Sequence, residues 1–206
     1  PGHGGMLLGD KVSPEIAKTR NVPPYQDVMS PHKHSEFSTP GELLNFVEKL
    51  RNLSEGKPVG IKLCIGHPWE LVSIVKAMVQ TDIYLDFITV DGSEGGTGAA
   101  PVEFTDHLGS PLRDAIVFVD NALIGAGIRD RVKIAASGKI VSAYDIVRVC
   151  AIGADWCNMA RPFMFSFGCI QARDCASGHC PTGIATMDPK RYRVIDIEDR
   201  AERVYN

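Results

Sequence analysis

Three of the six cysteines crowd into one segment, Cys169-x5-Cys175-x4-Cys180, with Pro181 directly after the last. Three thiolates so close together, with Gly178 available for a tight turn, resemble iron–sulfur ligation, and three ligands suit a three-iron cluster. Two other readings stay open. Zinc would take His179 as a fourth ligand, although adjacent residues rarely both reach one tetrahedral ion; alternatively, two of the thiols form one disulfide. Cys64, Cys150 and Cys157 stand singly in apolar runs and read as core packing, since an isolated cysteine behaves as a small hydrophobe.

A second chemistry is anion binding. Ser137-Gly138-Lys139 and Ala160-Arg161-Pro162 each follow an apolar run. In barrel enzymes the loops after the last two strands receive phosphate groups, because small residues expose backbone N–H groups and a helix N-terminus faces the anion. Arg161 would add charge, and two ordinary tight turns are the alternative. The segment Asp91 to Ala100 carries four glycines in seven residues. It would let the backbone approach a flat ligand closely or move as a lid, or it is merely a flexible loop. Lys62 lies in an apolar run at the same alternation as Gly60 and Cys64, so it must either snorkel or point at an anionic ligand. His67, before Pro68, reads as a loop or capping residue.

These residues need a scaffold, and the pattern supplies one. Residues 1–38 are rich in glycine and proline and read as irregular, with one short helix from Ser13 to Arg20. Thr39-Pro40-Gly41-Glu42 is a capping box, followed by Leu43, Leu44, Phe46, Val47, Leu50 and Leu53 on one helical face. Four β-branched runs follow, each leading into a helix, so that residues 39–168 form βα repeats. Val59 to Cys64 precedes a helix opened by Pro68, with Leu71, Val72, Ile74, Val75 and Met78 facing inward. Phe87 to Val90 leads to a helix opened by Ser110-Pro111, and Lys133 to Ala136 to one opened by Ser142 with Asp145 as its capping partner. Asp155 to Met159 precedes a helix opened by Pro162.

Alternation of strand and helix predicts parallel strands in an α/β fold. No G-x-G-x-x-G follows any strand, so a dinucleotide-binding open sheet lacks its best signal. Four repeats are too few for a closed barrel. The expectation is a single partial domain: the C-terminal half of a (β/α)8 TIM barrel, lacking its N-terminal half, with an irregular N-terminal segment and a cluster loop over 169–183.

The composition fits such a domain. The chain has 206 residues, 44% hydrophobic and 23% charged, with 22 basic against 25 acidic residues. The net charge of −3 and the lack of a basic run argue against nucleic acid as a partner and suit a small ligand. No stretch is long and apolar enough to span a membrane and no signal peptide opens the chain. It reads as soluble and cytoplasmic, with any upstream anchor outside the sequence. Opening at Pro1, it reads as a piece of a longer protein.

Taken in order, Pro1-Gly2-His3-Gly4-Gly5, Ile61-Lys62-Leu63, Gly95-Gly96-Thr97-Gly98-Ala99, Ser137-Gly138-Lys139 and the cysteine motif ending Pro181-Thr182-Gly183 resemble the synthase domain of glutamate synthases. The likeness is greatest to the shorter FMN-binding glutamate synthase-like proteins and covers nearly the whole chain. It implies a (β/α)8 barrel carrying FMN and a [3Fe-4S] cluster, and the reductive amination of 2-oxoglutarate to glutamate by hydride transfer from reduced FMN. It implies that Cys169, Cys175 and Cys180 are the cluster ligands. Ser137, Gly138, Lys139, Ala160 and Arg161 fall in the segment matching the FMN phosphate and ribityl site, and Gly95, Gly96 and Thr97 in the flavin loop.

By the same resemblance Lys62 lies beside the flavin pyrimidine, where a cation stabilises the reduced anion. Arg20 matches the arginine that grips a 2-oxoglutarate carboxylate, as a planar bidentate donor can. The electron donor is expected to be ferredoxin or an NAD(P)H-oxidising subunit. Ammonia comes from solvent or a partner, because no amidotransferase domain is present. The sequence departs from the family at Met6, where a substrate-site glutamine is expected. A keto acid needs its polar groups matched, so this favours a related flavoprotein with another substrate, or a non-catalytic electron-transfer or metal-binding module.

Overall fold

The computed structural model describes residues 5–95, 103–104, 106–175 and 177–206. In chain order the strands are β1 (Met6–Leu7), β2 (Val28–Met29), β3 (Ile61–Leu63), β4 (Phe87–Asp91), β5 (Lys133–Ser137) and β6 (Trp156–Asn158). The helices are α1 (Pro14–Arg20), α2 (Pro40–Leu53), α3 (Pro68–Thr81), α4 (Leu112–Gly125), α5 (Ala143–Ala151), α6 (Arg161–Ser166), α7 (Pro189–Tyr192) and α8 (Ile197–Tyr205). They fall into two compact units: a sheet unit (His34–Gly96 and Thr105–Ala160) and a cysteine unit (Pro1–Lys33, Thr97–Phe104 and Arg161–Asn206).

In the sheet unit β3-β4-β5-β6 form a parallel sheet in sequential order. A doubly wound sheet reverses its strand order at a switch point. Sequential order, with the helices on a single face, is instead the arrangement of consecutive (β/α) barrel repeats, as expected. That face is set by register. Ile88 and Val90 of β4 stand beside Ile134 and Ala136 of β5, and all four are fully buried with Leu44, Leu71, Met78, Ile116 and Val119 from α2, α3 and α4. The opposite face carries Lys62, Thr89, Ala135 and Trp156 in one row across the strands. Ala135 is nevertheless fully buried, and on this face the Phe87 and Trp156 rings meet edge to face at 5.8 Å.

Capping follows the sequence closely. Thr39 and Glu42 form the expected box on α2, and Ser142 and Asp145 form it on α5. The inner faces are narrower than expected: Leu53 and Val72 are 73% and 47% exposed. A helix lying on one sheet face covers only a stripe, and these residues fall outside it. Ser110 does not cap α4; the Glu94 carboxylate instead accepts from the Leu112 backbone N–H at 3.0 Å. At the opposite end of the strands two clamps join the layers. Arg51 bonds Asp86, which accepts from Val59 N, and Arg129 bonds Asp120 and Asp155, which accepts from Ile134 N.

In the cysteine unit β1 and β2 pair antiparallel, Met6 beside Met29. Ser13 caps α1 and Pro14 occupies its first turn. Beyond the cysteine loop, Asp188 and Asp196 cap α7 and α8, two helices the sequence reading left unassigned. No described helix is long and apolar enough to cross a membrane.

Candidate functional site

The C-terminal ends of the parallel strands gather the sheet unit's candidate residues. Lys62 sits beside Thr89, so Asp91, two residues further along β4, lies diagonally across the same face. The Lys62 ammonium pairs with the Asp91 carboxylate at 2.9 Å; the lysine is 58% exposed and the aspartate 16%. Lys62 thus neither snorkels nor stands alone: its charge is shared with a carboxylate the sequence reading did not single out. Alternation is the signal that could have found it, since positions 89 and 91 fall on one face.

The loops after β4 and β5 interlock. Gly92 N–H donates to the Ser137 carbonyl at 2.8 Å. Gly138 has a φ of +143°, and a Cβ there would lie 3.2 Å from Gly92 N and 3.7 Å from Gly95 N. A Cβ on Gly95 would meet the Asp91 carboxylate at 2.5 Å and Gly138 Cα at 3.2 Å. Both glycines are therefore required where the two backbones touch. Lys139 Nζ pairs with Asp106 Oδ1 at 2.6 Å, and α5 begins shortly after with its Ser142 cap. The glycine-lined strand end presents main chain without side-chain obstruction, as a phosphate group would need, whereas the N-terminus of α5 is already filled by its own Ser142–Asp145 capping box.

Other expected residues lie elsewhere. Gly96 and Thr97 fall outside the described residues. Ala160 ends the sheet unit, and Arg161 opens α6 in the cysteine unit. Arg20 is exposed in the last turn of α1, and Met6 is exposed in β1. His67 makes no side-chain cap to α3 and stacks on Trp69 with centroids 4.3 Å apart. Cys64 and Cys150 are exposed, against the expectation of core packing; only Cys157 packs against the core. Cys64 shares the alternation of Lys62 on the face that the helices leave uncovered, and Cys150 lies in the closing turn of α5.

In the cysteine unit Cys169, Cys175 and Cys180 occupy one loop. Burial disfavours the Cys180 thiolate, but the Thr182 hydroxyl and the backbone N–H groups of Ala185, Thr182 and Ile184 outweigh it and bring the thiol down to about 7. Cys169 Sγ accepts from Gln171 N–H at 3.5 Å. Cys175 is pushed up by burial and by the charges of Cys180 and Cys169, against the Arg161 guanidinium. Cys180 and Cys169 accept backbone N–H groups and Cys175 feels the charges of both, a setting that would suit thiolates bound to a positively charged iron–sulfur core. Among the described residues no group of three His, Cys, Asp or Glu is placed to hold one metal ion.

Two basic side chains pin the loop. Lys11 Nζ donates to the Cys175 carbonyl at 2.7 Å, and Arg191 Nη1 donates to the His179 carbonyl at 3.2 Å. Gly178, at φ +81°, gives Lys11 room, since a Cβ there would lie 2.9 Å from Lys11 Cε. Neither cation was legible in the sequence, because both contacts are to main-chain carbonyls.

Residues 1–206 match the family model described as the conserved region in glutamate synthase. The glutamate synthase large subunit-like protein YerD of Bacillus subtilis is 47% identical over 98% of this chain. The archaeal glutamate synthase [NADPH] of Methanocaldococcus jannaschii is 36% identical over all of it, and the chloroplastic ferredoxin-dependent glutamate synthase 2 of Arabidopsis thaliana 34% over 91%. The chain spans 38% of the first, 40% of the second and 11% of the third. A flavocytochrome b2 variant with sulfite bound aligns at a TM-score of 0.43 and 10% identity, over 74% of this chain and 32% of its own, a likeness too slight to bear on function. On the match of its whole length, the chain belongs to the glutamate synthase family.

Proposed function

We propose that this chain is the cluster-bearing C-terminal half-barrel of an FMN- and iron–sulfur-dependent oxidoreductase that aminates 2-oxoglutarate reductively to glutamate. The observation that carries the reading is the cysteine loop, in which Cys180 is poised toward thiolate and Cys175 feels the charges of both Cys180 and Cys169, inside a chain matching the family throughout. Bound FMN would supply the hydride. Lys62, oriented by Asp91, would place its ammonium beside the flavin ring, and the glycine-lined main chain at Ser137, Gly138 and Lys139 would receive the phosphate. The resemblance implies a role toward FMN for Arg161 and one toward a substrate carboxylate for Arg20. The relatives' names include both an NADPH and a ferredoxin electron donor, so either class suits this protein.

One observation favours a second reading. Met6 stands exposed in β1 where the family has a glutamine, which supports a related flavoenzyme acting on a different acid. The full-length protein, prepared anaerobically, separates these readings. Iron and sulfide near stoichiometry, both lost in Cys175→Ser and retained in Cys64→Ser, support the cluster. Reoxidation of its reduced flavin by 2-oxoglutarate with ammonia supports the glutamate reaction. Flavin and cluster without that reoxidation favour the second reading, and stoichiometric zinc without sulfide overturns the cluster.

A further inference from the structure

Lys11 and Cys175 lie 164 residues apart in the chain, and the fold joins them: the Lys11 ammonium donates to the Cys175 carbonyl at 2.7 Å. The lysine is held for this contact on both sides. It ends a short turn over Gly9–Lys11, where its own N–H donates to the Leu8 carbonyl at 3.0 Å and the Gly9 N–H donates to Asp27 Oδ1 at 2.6 Å. The next residue, Val12, is fully buried, and its carbonyl accepts from the Tyr25 N–H at 3.0 Å before Ser13 caps α1. Across the loop Gly178, at φ +81°, leaves its side-chain position to the lysine stem, since a Cβ there would lie 2.9 Å from Lys11 Cε and 3.7 Å from Nζ. The far end of the loop has its own anchor in Arg191, whose Nη1 reaches the carbonyls of His179 and Cys180 at 3.2 and 3.4 Å. A neutral donor would serve the Cys175 carbonyl equally well as an anchor. What only a cation adds is positive charge beside Cys175.

We infer, on the cluster reading proposed above, that Lys11 is a positioning residue for electron transfer: its ammonium, fixed at the Cys175 carbonyl, raises the reduction potential of a cluster held by Cys169, Cys175 and Cys180. Reduction moves one electron from the external donor onto the iron–sulfur core. No bond forms or breaks, and the core with its thiolates becomes more negative by one charge. A fixed cation favours that more negative state, because net charge and hydrogen bonding around the ligands set the potential of such clusters. The path from the ammonium through the single residue Cys175 to a metal on its sulfur is at most about 10 Å. At an effective dielectric constant of about 20, a unit charge at that range is worth on the order of tenfold in the reduction equilibrium.

The test uses the full-length protein, prepared anaerobically as wild type, Lys11→Gln, Lys11→Arg and Lys18→Gln, the last removing an exposed lysine from α1 as a control for net charge. Iron and sulfide are assayed first, and the cluster is then titrated redox-wise with electron paramagnetic resonance as the readout. Glutamine keeps a donor and loses the charge, so Lys11→Gln should lower the cluster midpoint by about tenfold in equilibrium constant, about 59 mV for one electron. Lys11→Arg and Lys18→Gln should titrate with the wild type. A Lys11→Gln midpoint equal to that of the wild type would overturn the inference and leave the cluster reading intact, as would an equal fall in Lys11→Gln and Lys11→Arg. Iron lost from both Lys11 variants would reduce the lysine to a loop anchor and also overturn it. Iron lost from Lys11→Gln and kept in Lys11→Arg would support it, since only the charge separates the two. A wild type without iron and sulfide would remove the cluster reading itself, and this inference with it.

Discussion

Gly138→Ala and Gly138→Asp together separate backbone geometry from charge at the proposed phosphate site. At φ +143°, with a Cβ only 3.2 Å from Gly92 N, either replacement strains the β5 loop. A non-glycine residue held at such a φ costs about 1–3 kcal/mol, and both variants carry that cost and the same Cβ contact. Only the aspartate adds a carboxylate. At an effective dielectric constant of about 20 and a separation of about 5 Å, each unit of like charge costs about 3 kcal/mol, roughly a hundredfold in affinity. In the full-length protein, urea unfolding of the FMN-free form should show equal destabilisation of the two variants. Since a phosphate monoester carries about −1.5 to −2 charges at neutral pH, flavin fluorescence titration should show the aspartate variant binding FMN at least about a hundredfold more weakly than the alanine one. Equal FMN affinity in the two would mean that no phosphate lies beside Gly138, and the site would have to be moved.

Lys62→Ala should retain FMN but lower its reduction potential, because the Asp91 carboxylate is left without its cation; Lys62→Ala combined with Asp91→Asn should recover part of the shift in a redox titration. An unchanged potential in the single variant would remove Lys62 from the flavin. At the other end of the strands, burial opposes the Asp155 charge, but the Ile134 N–H, Arg129 and Lys133 outweigh it and hold the carboxyl below its ordinary 3.8. A depressed carboxyl contributes stability that is complete above about pH 5 and is lost as pH falls through 3.8 toward the folded value. Asp155→Asn should therefore flatten that acid limb of the urea midpoint, and an undiminished limb would assign it to other carboxylates. Glu94→Ala should cost about 0.5–2 kcal/mol, the worth of a helix cap, and speed hydrogen exchange at the first turn of α4; exchange unchanged at Leu112 would contradict its capping role.

The elements and much of their order were legible because they depend on local chemistry. Thr39 with Glu42 and Ser142 with Asp145 cap helices through bonds within a few residues, and the β-branched runs announce strands wherever they pair. Motif order was enough to identify the family, since spacing in the chain survives without coordinates. The three clustered cysteines were legible for the same reason.

What depended on strand register or on distant contacts was not. Asp91 pairs with Lys62 only because β3 and β4 align Lys62 with Thr89, and no local signal specifies that alignment. Glu94 replaces Ser110 as the cap of α4 through a contact eighteen residues away, while Lys11 reaches a main-chain carbonyl at Cys175, 164 residues away. The inner stripes of α2 and α3 were read too wide, because periodicity marks an apolar face but only the surface beneath it decides how much is covered. The single cysteines show the division most clearly. Residue type alone made Cys64, Cys150 and Cys157 three small hydrophobes, and the packing left Cys64 and Cys150 exposed with Cys157 against the core.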